Sequence, residues 1–366
     1  MYFGHSIKFS WQLYKRLLYP MLRKSLFSAL GVAGLLVGLA AAPLVSAAEK
    51  PITPKVMLIT MFGPEAKTWI EQLKLDKKVS VEGLSAEYPD VLCNEAQVCL
   101  MTTAMGHTNA AASTMALAFS PKFDLRKTYF LVAGIAGINP HEGTLGTTAW
   151  AHYLVNFGIQ WELDAREAPA EWKGGYLGIN TRNPSQKPPL DYKTEVFEVN
   201  QQLMEKAYAL SKNAKLIESS ESTAWRKNYS YAPANQPPVV TRCDTVASDT
   251  WFSGTRLSQR AEEWTRTLTD GKGRYCTTQQ EDNATYEALL RASRTGRVDI
   301  QRLAVVRGGS DFDRPYEGYT DVENLIDYAK QGGFEPALEN LFRTGNPLVQ
   351  DIVKNWSTWE KGVPSS

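Results

Sequence analysis

The sequence predicts an α/β fold: a mixed, largely parallel central sheet flanked by helices on both faces. Stretches of strand character alternate with stretches of helical periodicity from residue 55 to residue 342, the order expected of such a sheet. Several of the strand stretches are apolar at nearly every position, as strands buried on both faces are. Glycine-containing joints follow those strands where the chain must turn.

Taken in order, Lys55–Thr60 is a short apolar run after Pro54 and reads as a buried strand. Gly63-Pro64 turns the chain into a helix over Glu65–Leu73. Val91–Thr103 reads as a hairpin ending in a strand, Gly106 breaks it, and Asn109–Phe119 is an alanine-rich helix. Tyr129–Ala133 is a second buried strand that ends at Gly134-Ile-Ala-Gly137. Thr144–Asn156 is strand material, Thr194–Ser211 has helical spacing of its apolar positions, and Val239–Trp251 holds two strand-like stretches. A helix is expected over Asn283–Ser293 and a buried strand over Leu303–Arg307, ending in Gly-Gly-Ser-Asp311. Val322–Lys330 and Ala337–Phe342 read as closing helices. Segments 164–193 and 228–238, rich in Pro, Gly and polar residues, read as insertions rather than linkers, so residues 49–366 are expected to form one domain.

Composition narrows the function. Of 366 residues, 43% are hydrophobic and 22% charged, which is a globular balance. Forty basic residues against thirty-nine acidic ones leave a formal charge of +1, so no nucleic-acid partner is expected. Residues 1–48 read as a leader. Arg23 and Lys24 precede an apolar run from Leu26 to Ala42, and small residues follow to Ala47 and Ala48. That is the layout of a signal peptide cleaved near Ala47/Ala48, with Met1 or Met21 as the initiator. An uncleaved anchor is the rival, since the run is almost long enough to span a bilayer. The expected location is periplasmic or secreted. Such a compartment permits disulfides, and the spacing of Cys93 and Cys99 suits a pair across a short hairpin, leaving Cys243 to pair with Cys276. Four free buried thiols are the alternative. No metal site is expected, because there is no C-x-x-C and only four His occur.

Ligands of open α/β sheets bind beyond the carboxyl ends of the strands, so the residues just after strands carry the functional argument. Glu65 could act as a general base there, or be a first-turn Glu favoured by the helix dipole. The Thr102–Asn109 joint, with Thr103 and Gly106, exposes backbone N–H groups suited to an anion or a sugar hydroxyl, or is simple turn chemistry. Gly134 permits close approach of backbone to a ligand, or tight packing. Glu281 could accept hydrogen bonds from two ribose hydroxyls; the alternative reading is helix capping by Asp282. Ser310-Asp311 offers a carboxyl that could protonate a ring nitrogen if its pKa is raised. No G-x-G-x-x-G or Walker sequence is present, so dinucleotide or ATP binding is not supported.

Taken together, Phe62–Ala66, Thr103–Ala112, Val132–Pro140, Ser248–Gly254, Cys276–Ala284 and Arg307–Asp311 resemble the purine nucleoside permease family, over roughly residues 54–360. That family in turn resembles the nucleoside phosphorylase and nucleosidase superfamily, which implies a nucleoside-phosphorylase-like fold. The resemblance implies Glu65 as the residue that activates water and Trp251 as the aromatic that stacks on a purine. It implies Glu281 as the ribose ligand, with Gln280 standing where a Met is usual, and Asp311 as the residue that binds and protonates the base. Phosphorylases hold phosphate with an Arg and a Ser around the glycine strand end; Val132–Gly137 offers neither, which favours water over phosphate as co-substrate. Lys67 or His107 could still substitute. No other cofactor is implied. Purine nucleosides are the implied partners. Homo-oligomers are common in the superfamily, and a permease role would require a membrane transporter partner. Three readings stay open: N-glycosidic bond cleavage by nucleosidase or phosphorylase chemistry, non-catalytic capture for uptake, and reuse of the fold for another small molecule.

Overall fold

A computed structural model describes residues 50–365. The leader proposed for 1–48 and its cleavage site lie outside the described residues.

The sheet grows outward from β5 (Tyr129–Ile138), which is flanked in parallel by β1 (Val56–Thr60) on one side and β14 (Leu303–Phe312) on the other. Beyond β1 come β4 (Val98–Thr102), parallel, then β3 (Asp90–Cys93) and β2 (Lys77–Ser80), antiparallel. β1 pairs with only the first part of β5, from Val56 opposite Tyr129 to Ile59 opposite Val132. Further along the same edge, β13 (Tyr275–Gln279) pairs antiparallel with Gly137 and Ile138. β13 continues to β12 (Asp244–Ala247), β7 (Tyr153–Asn156) and β10 (Val196–Glu198). On the far edge of β14 lie β6 (Thr148–Trp150) and β11 (Val240–Arg242). β8 (Trp161–Glu162) and β9 (Tyr176–Leu177) form a separate two-stranded antiparallel pair, with β8 just before the 164–193 region read as an insertion and β9 inside it.

The period of two along the strands separates two cores. Met57 and Ile59 of β1 join Phe130 and Val132 of β5 on one face, while Val56 and Leu58 join Tyr129 and Leu131 on the other. The first core is covered by α2 (His107–Phe119) and α6 (Asp282–Arg294), the second by α1 (Gly63–Leu73), α3 (Gln201–Ser211) and α8 (Phe334–Lys354). Apolar strands covered on both faces are what the sequence predicts. The remaining helices are α4 (Ser220–Arg226), α5 (Thr255–Leu268), α7 (Asp321–Ile326) and the short α9 (Trp356–Trp359).

Several boundaries differ from expectation. The helix expected over Thr194–Ser211 starts only at Gln201, where Asn200 accepts a hydrogen bond from Leu203 N–H; Val196–Glu198 pairs with β7 instead and buries Phe197. Gly134–Gly137 and Gly308–Asp311 do not end their strands. β5 and β14 run through them side by side, with a bulge at Ser310 between the Gly309–Ala136 and Asp311–Gly137 pairs. The helix expected over Ala337–Phe342 is α8, which is 21 residues long and passes through Pro347. The two disulfides join Cys93 to Cys99 across the β3–β4 hairpin and Cys243 to Cys276 between neighbouring strands. Among the described residues no helix is long and apolar enough to cross a membrane.

Candidate functional site

Where β1 turns away from β5, the β5 edge is left without a partner until β13 arrives, and Ile135 N–H falls in that gap. A buried N–H needs an acceptor. Glu65, in the first turn of α1, supplies it: its Oε1 accepts from Ile135 N–H at 2.8 Å, and its Oε2 accepts from Met61 N–H at 2.7 Å. Its side chain therefore reaches back over the sheet into a cavity of about 670 Å³.

The cavity lies at the carboxyl ends of β1, β4 and β13 and against the later part of β5 and β14. Its polar floor holds Glu65, Gln279, Glu281, Arg307, Ser310 and Asp311. Trp251, from the segment after β12, and Gln280 form part of the wall. Its apolar rim comes from Phe62, Met105, Leu325, Tyr328 and Phe334. The bulge at Ser310 breaks the strand alternation, so two consecutive residues, Ser310 and Asp311, both face the cavity.

Arg307 is the cation at the centre. Fully buried, it donates from Nη1 to Ile135 O at 3.0 Å and from Nη2 to Gln279 Oε1 and Glu281 Oε2, each at 3.2 Å; Nε donates to Asp282 Oδ2 at 3.2 Å. Burial alone would lower its pKa, but Asp282 and Glu281 raise it above the usual arginine value. Glu281 also accepts from Gly106 N–H at 3.0 Å. One guanidinium thus faces three carboxylates, and Glu65 is the one without a direct ion pair to it. Burial pushes the Glu65 pKa up to about 8 against the opposing pull of Arg307. Asp311, whose Oδ1 accepts from Ser310 Oγ at 2.7 Å, is pushed up to about 7, again by burial. Near neutral pH two carboxyls of the floor therefore sit close to their titration points, as acid–base groups do.

Gly134 allows these side chains to meet. A Cβ on Gly134 would lie 1.9 Å from Met61 Cε, 2.6 Å from Arg307 Nη1 and 2.8 Å from Glu65 Oε1. A Cβ on Gly137 would lie 3.4 Å from Trp251 Cη2 and 3.5 Å from Asp311 Oδ2, which sets the ring and the carboxyl beside each other.

Of the residues read from sequence, Glu65, Trp251, Gln280, Glu281, Ser310 and Asp311 converge on the cavity. Thr103, Gly106 and Gly134 are not part of its wall. Thr103 is fully buried and its hydroxyl donates to Ala104 O at 2.7 Å. Gly106 serves Glu281 through its N–H, and Gly134 makes room for the side chains of Met61, Glu65 and Arg307. Asp282 does not cap α6; its carboxylate pairs with Arg307. Arg307 and Gln279 were not singled out by the sequence. The signal for Arg307 was present, because a lone cation after the apolar run Leu303–Val306 must find buried carboxylates. Although Val132–Gly137 carries no Arg, Arg307 reaches its glycine stretch from the neighbouring strand, opposite Gly134. Among the described residues no cluster of His, Cys, Asp or Glu is arranged to hold a metal ion.

Residues 53–364 match the family model described as purine nucleoside permease. A probable purine nucleoside permease of Schizosaccharomyces pombe is 39% identical over 317 residues, covering 84% of this chain and 91% of that protein. The purine nucleoside permease of Candida albicans is 38% identical over 308 residues, covering 83% of this chain and 76% of that protein. Among solved structures, the 5'-methylthioadenosine/S-adenosylhomocysteine nucleosidase of Neisseria meningitidis, in complex with methylthio-immucillin-A, superposes with a TM-score of 0.51. It is 12% identical, and the match covers 82% of this chain and 99% of that one, which shows a shared fold.

Proposed function

The chain belongs to the purine nucleoside permease family, and from that premise we propose that it binds purine nucleosides in the cavity between Glu65 and Trp251 and hydrolyses their N-glycosidic bond. The observation that carries the proposal is the convergence, in one cavity, of an aromatic ring, a paired carboxylate and two carboxyls with raised pKa values. Trp251 stacks on the base. Asp311, beside it, donates a proton to a base nitrogen as the bond to the sugar breaks. Glu281, fixed by Gly106 N–H and Arg307, accepts from the ribose hydroxyls and favours the cationic sugar of the transition state. Glu65, when ionised, takes a proton from the water that attacks the anomeric carbon.

Water is favoured over phosphate by charge. Among the described residues, Arg307 is the only cation of the cavity lining, and it is already matched by Glu281 and Asp282. A phosphate dianion would have to share it with those carboxylates and with Glu65.

The second reading is capture of nucleosides for uptake, favoured by the permease names of the fungal relatives. The same ring and carboxylates suffice for binding. With no membrane-crossing helix among the described residues, that role calls for a membrane partner. Under both readings we place the protein outside the cytoplasm, where its two disulfides would persist.

Free purine released from adenosine, guanosine and inosine, with and without phosphate, separates these readings. Release without phosphate is expected. Release that requires phosphate would replace hydrolysis by phosphorolysis, and tight binding without any release would leave capture alone.

A further inference from the structure

Two successive backbone N–H groups at the start of α2 serve two different carboxylates. Gly106 N–H donates to Glu281 Oε1 at 3.0 Å, and His107 N–H donates to Asp249 Oδ1 at 2.6 Å. His107 Nδ1 lies 3.2 Å from the same Asp249 oxygen. Gly106 has φ +90, and a Cβ there would come within 3.1 Å of Asp249 Oδ1, so the approach depends on glycine. Asp249 is held at its carbonyl as well, which accepts from Gln280 Nε2 at 2.7 Å, while Gln280 N–H donates to Glu281 Oε2 at 3.2 Å. Asp249 stands two residues before Trp251 in the segment 248–253, which has no helix or strand of its own.

We propose that Asp249 is a positioning residue for the nucleoside site: it latches the Trp251 segment to the N-terminus of α2 and so keeps the base platform in register with the ribose carboxylate Glu281. The inference rests on the reading of Trp251 and Glu281 as nucleoside contacts. Its physical content is pre-organisation. The segment is tied at its ends, where Ser248 N–H and Gly254 N–H donate to Gln279 O and Asp313 O, and any freedom left at Trp251 between them must be removed by the ligand, at the expense of affinity. The latch fixes that segment at both the side chain and the carbonyl of one residue, and both fixed points lead to Glu281, through Gly106–His107 on one side and Gln280 on the other. Asp249 does not line the cavity, and its side chain is 61% exposed. Its contribution therefore comes through Trp251 rather than through the ligand or the core.

The test is a double-mutant cycle on the purified full chain, reading by titration calorimetry the Kd of C-nucleoside analogues of adenosine and inosine, whose C–C glycosidic bond is not hydrolysed, for the wild type, Asp249→Ala, Asp249→Asn, Trp251→Ala and Asp249→Ala/Trp251→Ala. Asp249→Ala is expected to weaken binding about tenfold in the wild-type background and to have almost no further effect once Trp251 is removed, since contacting residues on one path are non-additive. Asp249→Asn keeps an oxygen for His107 N–H and is expected to retain most of the affinity. Thermal midpoints are expected to fall only slightly, by about 2–4 °C for the lost acceptor at the α2 N-terminus. Equal losses from Asp249→Ala with and without Trp251, or an unaltered Kd in the single variant, would overturn the latch while leaving the nucleoside reading in place. Absence of binding by the wild type would overturn that reading, and the latch with it.

Discussion

Glu65 and Asp311 are the residues on which chemistry and stability meet. Both have folded pKa values above their ordinary ones, so the folded chain holds their protons more tightly than the unfolded chain does. The stability this contributes is present below the unfolded pKa and is lost as pH rises through the folded one. For Glu65 the window runs from 4.5 to about 8. Glu65→Gln has no such proton to lose. Its unfolding midpoint is therefore expected to gain on that of the wild type between pH 5 and pH 8, roughly the two ends of that window. A constant difference across the range, measured by thermal melts, would contradict the buried proton. Under the hydrolytic reading the competent form has Glu65 ionised and Asp311 protonated. The kcat/KM profile is then expected to peak between about 7 and about 8 and to fall on both sides. Asp311→Asn is expected to lower kcat by about 10²-fold or more, the scale of a lost general acid, while leaving measurable nucleoside binding. Turnover close to that of the wild type in this variant would remove Asp311 from the mechanism.

At the scale of elements, the site depends on two strands continuing where their glycines suggest an end. Gly134–Gly137 and Gly308–Gly309 look like breaks because glycine is a poor strand former, yet β5 and β14 pair through them. The missing side chains are the reason: Glu65, Arg307 and Met61 occupy the space over Gly134. Gly134→Ala is expected to destabilise by about 1–3 kcal/mol, the usual range for overpacking, and to weaken nucleoside binding by displacing Glu65 and Arg307. Chemical denaturation and a binding titration on the same variant check both. Legibility follows the same logic. β1, β4 and the start of β5 could be read because they are apolar on both faces, and α6 because its apolar positions recur at helical spacing. The strand at Val196–Glu198 was hidden because three residues carry little period of their own, and their role is set by pairing with β7. α5 escaped because its buried stripe includes Ser258 and Arg260, polar residues that find partners only in the fold. Order along the chain brought Glu65, Trp251, Glu281 and Asp311 into consideration. Arg307 became visible only when the carboxylates around it did.

For the molecule as a whole, the two disulfides differ in what they hold. Cys93–Cys99 closes a separation of six residues within one hairpin, and Cys243–Cys276 closes one of thirty-three. In the chain-entropy account the longer loop restricts the unfolded chain more, by about 4 kcal/mol against about 2 kcal/mol for the shorter. The longer bridge also ties the beginning of β12 to β13, and the far ends of those two strands lead to Trp251 on one side and to Gln279–Glu281 on the other. The shorter bridge lies two strands from β5, on the flank away from β13. Removing each pair as a double alanine variant is therefore expected to give two outcomes. Loss of Cys93–Cys99 should lower the denaturation free energy modestly and leave the nucleoside Kd unchanged. Loss of Cys243–Cys276 should lower it further and raise the Kd as well, because the base platform and the ribose carboxylate are carried on the strands that bridge unites. Equal effects of the two pairs on the Kd would show that the site draws its rigidity from the sheet as a whole and not from the β12–β13 pair.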